Sequence, residues 1–181
     1  MSDLDILKAN PIEAIELIMD TYGSDVKKFI YSYLNNEADT DDVTQEVFVT
    51  VYFKLNTFKG NSSLKNWIYS IAANKCKDFL RKNSLRPSKL IERMTKQSVA
   101  QIDNDVSKQY EANIDKKGLF EKVMALPIKY REVLVLYYFK ELSIKEISYI
   151  LKEKETTLQS RLLRARKGLR EVISEGEIII E

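Results

Sequence analysis

The chain has no histidine and a single cysteine, Cys76. Without histidine, His-based triads, imidazole general bases and most zinc sites are excluded, and one cysteine cannot build a disulfide framework. Glycine and proline are scarce, at five and three in 181 residues, so long helices with short connections are expected. No glycine spacing forms a phosphate loop or a dinucleotide fingerprint. No apolar run approaches the ~18 residues of a membrane span, and no signal-peptide pattern is present. A soluble, cytoplasmic protein with no membrane insertion of its own is expected, with no cofactor, no metal and no catalytic residue.

Hydrophobic residues make up 44% of the chain, ample for helical cores, and the expected fold class is all-α: two small helical domains joined by a flexible linker. The net charge of +2 hides an asymmetry. Residues 1–82 hold 10 basic and 12 acidic residues, 83–115 hold 5 and 5, and 116–181 hold 14 and 10. The basic charge sits at the C-terminal end.

Within 1–36, Pro11 suits the first turn of a helix and Ile12, Ile15, Leu17, Ile18, Met19 and Tyr22 follow, up to an expected break at Gly23-Ser24. Val26, Phe29, Ile30, Tyr33 and Leu34 form a second apolar stripe. The next stretch is the most informative. An acidic helix start, with Asp39 or Thr40 as N-cap, carries Glu37, Asp39, Asp41, Asp42 and Glu46 where the helix dipole favours negative charge. Helical spacing puts Val43, Val47, Thr50 and Lys54 on one face and Asp42, Gln45, Val49 and Tyr52 on the other, and Phe48, Val49, Tyr52 and Phe53 read as an exposed apolar run. A helix apolar on two sides is central to its bundle or keeps one side for another protein. After Phe58-Lys59-Gly60-Asn61-Ser62-Ser63, a helix from about Ser63 to Lys82 has an expected core stripe of Leu64, Trp67, Ile68, Ile71, Ala72 and Phe79. Its Lys65, Lys75, Lys77, Arg81 and Lys82 oppose one acid, Asp78, and interleave with Tyr69 and Asn74, as suits phosphates and stacked bases. The same lysines also fit a plain solvated face at a helix C-terminus.

The string Asp39-Thr40-Asp41-Asp42-Val43-Thr44-Gln45-Glu46-Val47-Phe48, followed by Phe58 to Ser63 and by Trp67-Ile68-Tyr69 running to Asn74, Asp78 and Arg81, resembles region 2 of the extracytoplasmic-function sigma factors of bacteria. The resemblance implies that Asp39, Asp42, Gln45, Glu46, Phe48, Val49 and Tyr52 bind the RNA polymerase core. It implies that Phe58, Lys59, Gly60, Asn61, Ser62 and Ser63 capture an unpaired base of the minus-10 element, and that Trp67, Tyr69, Asn74, Asp78 and Arg81 engage the opened strand. Housekeeping members of the wider family carry two adjacent tryptophans, whereas Trp67 here precedes Ile68; this implies a weaker strand-opening wedge and closer dependence on promoter consensus.

Residues 83–115 read as a linker, with Arg86-Pro87 disfavouring helix and a weak helical patch at Leu90 to Met94. The second domain, 116–176, starts near Lys116. Leu119, Phe120, Val123, Met124 and Leu126 make an amphipathic helix stopped by Pro127, and Ile128 to Lys140 is a further helix, solidly apolar from Val133 to Phe139 and expected at the buried centre. Ser143 and Glu146 form a capping box ahead of Ile144, Ile147, Ile150 and Leu151. After a break at Lys152 to Glu155, a helix capped by Thr156 or Thr157 buries Leu158, Leu162, Ala165, Leu169 and Val172. It carries five basic residues and no acid between Thr156 and Arg170. Helix, tight turn and basic helix make a helix-turn-helix. Gln159, Ser160, Leu163 and Arg164 are expected at base edges, and Thr157, Arg161, Arg166 and Lys167 complete the DNA face, with Arg161 alternatively an anchor to its own domain.

This half resembles region 4 of the same sigma family through Leu126-Pro127, Tyr130-Arg131, Leu142-Ser143, Glu146-Ile147 and Ser160-Arg161-Leu162 to Arg170, which implies minus-35 recognition. The turn departs from the family, since Leu151 to Gln159 lacks both usual glycines. The tail 177–181 has no counterpart. The expected function is a sigma factor that joins polymerase core and directs it to promoter DNA, for a stress or envelope regulon under an anti-sigma factor. A helix-turn-helix regulator that does not bind polymerase is the alternative, and an enzyme acting on nucleic acid is disfavoured by the missing histidines.

Overall fold

The computed structural model describes residues 10–84 and 114–177, the latter by backbone alone at 114–117 and 175–177. Of the expected linker 83–115, residues 83–84 and 114–115 are helical and 85–113, with the patch at 90–94, lie outside the described residues, as does the tail from 178. The chain divides into two compact units, Met1–Ser107 and Lys108–Glu181. Among the described residues all regular structure is helical.

The first unit is built from α1 (Pro11–Leu34), α2 (Glu37–Lys54) and α3 (Leu64–Ser84), which pack on one another around one core. Asn10 caps α1, its Oδ1 accepting from the Ile12 and Glu13 amides at 3.0 Å, with Pro11 at the first helical position. The expected break at Gly23 does not occur: α1 runs through it. At about 100° per residue, Ala14 and Ile18 ahead of Gly23 and Val26, Phe29, Ile30 and Tyr33 beyond it fall in one continuous arc. All six are buried. Their shared burial outweighs the ~1 kcal/mol that one helical glycine costs. A left-handed Asn35 ends α1, and Asn36 rather than Asp39 or Thr40 caps α2, accepting from the Asp39 amide at 2.9 Å.

The second unit comprises α4 (Ile114–Met124), α5 (Ile128–Leu134, continuing as a π-helical turn Val135–Phe139), α6 (Ile144–Leu151) and α7 (Glu155–Glu177). The buried centre is Val133 to Leu136; the expected burial stops there, because Tyr138 is 51% and Phe139 38% exposed. The capping box is present, with the Ser143 amide donating to Glu146 Oε2 at 2.9 Å and the Glu146 amide donating to Ser143 Oγ at 3.3 Å. No threonine caps α7. The Leu158 amide donates to the Lys154 carbonyl at 3.1 Å, so the helix starts two or three residues earlier. In the turn, Lys152 takes the left-handed conformation at φ 55° where glycine is the easier residue.

Candidate protein and nucleic-acid interfaces

α2 touches α1 on one side and α3 on the other, so its inward arc is wide. Thr40, Val43, Val47, Phe48 and Val51 all fall within about 140° and are buried. Phe48 is therefore corrected: at 5% exposure it is core, not a contact surface. The opposite arc centres on Asp42, Val49 and Phe53 and takes in Gln45, Glu46 and, at its edge, Tyr52. Val49 is 55%, Tyr52 37% and Phe53 72% exposed, and the Tyr52 and Phe53 rings meet edge to face at 5.3 Å. Phe53 belongs with the candidate contact residues; its i+4 spacing from Val49 is the signal that would have placed it there. Asp39 is half-buried at the helix start. Two neighbouring acids are paired across helices, Asp41 with Lys27 at 2.6 Å and Glu46 with Lys75 at 3.2 Å, while Asp42 and Gln45 stand exposed. The face thus offers carboxylates, an amide and apolar bulk together, suited to a basic and partly apolar protein surface.

Between α2 and α3, a 3-10 turn Leu55–Thr57 leads into the Phe58–Ser63 loop. Gly60 has φ +69°, a left-handed conformation that a side chain would strain. Ser63 Oγ accepts from the Asn66 amide at 3.1 Å and so caps α3. Lys59, Gly60, Asn61 and Ser63 are exposed, Ser62 and Phe58 half-buried. The Phe58 ring lies 5.2 Å from that of Trp67, tilted by 50°.

On α3 the core stripe is rotated from the expected one. Leu64, Ile68, Ala72, Tyr69, Ala73 and Cys76 are buried, while Trp67, Ile71 and Phe79 are half-buried. Tyr69 is thereby removed from the DNA face. Its ring packs edge to face on Phe29 at 5.0 Å, its hydroxyl has no hydrogen-bond partner, and burial, then the Asp25 charge, push its pKa well up. Trp67, Asn74, Asp78 and Arg81, spaced i, i+7, i+11 and i+14, share the outward stripe. Asp78 accepts from Arg81 at 3.0 Å. Tryptophan, amide and guanidinium on one ridge suit bases that stack and phosphates that pair.

On α7 the buried stripe is Leu158, Leu162 and Ala165, with Leu169 half-buried behind it. Ser160, Leu163 and Lys167 lie opposite it, Arg164 and Gln159 to either side, all exposed, with Leu163 66% open. Thr157 is half-buried. Arg161 and Arg166 occupy the two flanks nearest the core and turn inward; for Arg161 this is the expected alternative, an anchor to its own domain, and for Arg166 it corrects the expected place at phosphates. Arg161 Nη1 donates to Glu132 Oε1 at 3.2 Å and Nη2 to Glu153 Oε1 at 2.7 Å. Arg166 Nε donates to the Tyr138 hydroxyl at 2.7 Å, its guanidinium lying 5.7 and 5.6 Å from the Tyr137 and Tyr138 ring centres. Helical spacing beside Leu158 and Leu162 sets both nearer the core than Arg164; it does not record the partners they meet there, Glu132 and Tyr138, which come from another helix.

The profile "Sigma-70 region 2" matches residues 18–86, and "Sigma-70, region 4" matches residues 119–169. The chain is 31% identical over 163 residues to the ECF RNA polymerase sigma factor SigM of Bacillus subtilis, covering 90% of this chain and 96% of the relative. It is 29% identical over 177 residues to SigW of the same organism, covering 93% and 94%. In fold it is similar to the sigma factor RpoE of Bartonella quintana, solved with the anti-sigma factor NepR, at a TM-score of 0.70, 21% identity, and 88% and 96% coverage. It is also similar to CnrH, solved with the cytosolic domain of CnrY, at a TM-score of 0.65, 21% identity, and 95% and 94% coverage. With both halves matched in order and a relative above 30% identity along nearly its whole length, the chain belongs to the extracytoplasmic-function family of RNA polymerase sigma factors.

Proposed function

We propose that this sigma factor divides its work by surface: α2 holds polymerase core, the Phe58–Ser63 loop with the Trp67 ridge opens the minus-10 element, and α7 reads minus-35. The chain binds RNA polymerase core and directs promoter-specific initiation, as its family does. Asp42, Gln45, Glu46, Val49, Tyr52 and Phe53 are the core contacts, Asp39 shaping the helix start behind them. Phe58, Lys59, Gly60, Asn61, Ser62 and Ser63 receive an unpaired base, and Trp67, Asn74, Asp78 and Arg81 follow the strand. Gln159, Ser160, Leu163 and Arg164 meet base edges, while Lys167 and Thr157 meet the backbone. The domains are 1–82 and 116–176, joined by 83–115.

One observation supports this division above the rest: in one unit, an acid-and-apolar face on α2 and an aromatic, amide and guanidinium ridge on α3 both point outward from a shared core. One small bundle presents a protein surface and a nucleic-acid surface at once. A regulator lacking polymerase contact would have no use for the first. The sigma factor works in the cytoplasm, without catalysis of its own, on a stress or envelope regulon, and is held by an anti-sigma factor that competes for these faces. The two solved neighbours bound to partner proteins give this last point its support.

The test is reconstitution. The chain should co-purify with core polymerase and confer start-site-specific transcription on a promoter pool that core alone does not read. Core binding without specific initiation would reduce the chain to a polymerase-associated regulator.

A further inference from the structure

Arg161 sits in the DNA-facing helix yet spends its guanidinium on two carboxylates of its own unit. Glu132, on α5, is 3% exposed at its side chain, and Arg161 itself is 22% exposed. Glu153 stands in the turn between α6 and α7, and its backbone carbonyl accepts from Ser148 Oγ at 2.6 Å. The turn therefore has a strap at each end of one residue: Ser148 holds the Glu153 main chain from α6, and Arg161 holds its side chain from α7. Lys152, left-handed at φ 55°, stands where the turn would more easily carry glycine. A turn without glycine gains its set angle from these side chains.

We infer that Arg161, with Glu132 and Glu153, is a positioning device for α7: it fixes the angle at which Ser160, Leu163 and Arg164 meet the groove and contacts no phosphate itself. The inference rests on the reading of α7 as the promoter-reading helix. Its physical basis is the fork geometry of arginine, whose two Nη groups here reach carboxylates on two different segments; lysine gathers its donors on one nitrogen at the end of a flexible stem and does not reproduce that rigid two-armed span. Base readout tolerates little error in placement, because a two-pronged contact is lost when a helix tilts by a small angle. Arg161 adjoins Ser160 and precedes Arg164 by three residues, so any tilt it permits passes directly to the readers.

The sign of one substitution separates positioning from charge. If Glu153 had no role beyond its charge, Glu153→Gln would remove a negative group from a DNA-binding unit and tighten binding to every duplex. As a positioning partner, its replacement weakens the selected duplex by about tenfold, the loss of one good base contact, and leaves a scrambled duplex bound as before or tighter. Arg161→Lys retains the cation. A phosphate contact would survive it; the fork would not, and the same loss of discrimination is expected. The two substitutions together should cost no more than the worse one alone, since both break one unit. Arg161→Ala is avoided because it strips the cation from buried Glu132 and endangers folding.

The experiment uses the full chain bound to core polymerase, duplexes recovered by that holoenzyme from a randomised pool, and scrambled duplexes of equal composition. Circular dichroism melts accompany each variant, and the ratio of selected to scrambled affinity is the readout, which plain unfolding would not lower selectively. A parent holoenzyme that recovers no sequence would overturn the reading of α7 and the positioning role with it. A parent that discriminates, beside a Glu153→Gln or Arg161→Lys variant that discriminates equally well, would overturn the positioning role alone.

Discussion

Two aromatic residues show how much rides on which way a single side chain turns. Phe48 and Phe53 are five residues apart on α2, one buried and one 72% exposed. Phe48→Ala should cost about 3–5 kcal/mol of stability through the cavity it leaves, seen as a lowered denaturation midpoint. Phe53→Ala should move stability by no more than about 0.5 kcal/mol while weakening polymerase binding. Should Phe53→Ala destabilise the unit as Phe48→Ala does, the outward face would have been misjudged. Tyr69 adds a pH signature. Burial, and then Asp25, raise its pKa above the ordinary 10.0, so the folded chain keeps the phenol proton where the unfolded chain loses it. Stability therefore holds below pH about 10 and declines above it. Tyr69→Phe should flatten that alkaline decline and be neutral or stabilising at pH 7, because the hydroxyl it deletes is buried and unbonded. Chemical denaturation of parent and variant at both pH values checks this, and an undiminished alkaline loss in the variant would count against it.

At the scale of elements, the connection between α2 and α3 is short and specific in shape. Gly60 supplies the left-handed residue, Ser63 caps the following helix, and Phe58 lies on Trp67. Gly60→Ala should cost about 1–2 kcal/mol of loop strain and slow minus-10 opening, with core affinity unchanged because α2 is untouched. Permanganate footprinting of the holoenzyme on its promoter reads the opening. Full footprints in a folded Gly60→Ala holoenzyme would mean that the loop captures no base. Phe58→Ala is a harder probe, since it also uncovers a half-buried Trp67; its effect on footprints is interpretable only beside a melt of the same variant.

For the whole molecule, the acidic first part and basic last part of the chain imply two separable, oppositely signed interactions. Asp42→Ala with Gln45→Ala should weaken core binding, more so at low salt, as charges at an interface rim do. Equal core affinity for the double variant and its parent would sink the assignment of α2. Arg164→Ala should cost about 1–3 kcal/mol at the selected site and relax preference at one base pair, whereas Lys167→Ala should weaken all duplexes alike and lower the salt slope by about one. Binding over single-base variants at two salt concentrations tells these apart. A uniform loss for Arg164→Ala would make it a phosphate contact.

Sequence by itself determined the order of the helices and, apart from the break expected at Gly23, their number among the described residues. Pro11, Pro127 and the Ser143–Glu146 box act through bonds within a turn or two of themselves, and a 3.6-residue period needs no partner to be visible. It also carried the sigma resemblance, which is written in strings of neighbouring residues. Tertiary structure decided how wide an arc each helix buries. That width depends on how many helices press on it, which no local pattern records: two neighbours draw Phe48 into the core beside Val47, the fold of α3 against Phe29 turns Tyr69 in, and burial in phase carries α1 through Gly23. The same reason separates the arginines of α7. Helical phase sets Arg161 and Arg166 nearer the buried stripe than Arg164, but only what α5 and its π-helical extension bring opposite them, a carboxylate for one and a tyrosine hydroxyl for the other, decides what they bind.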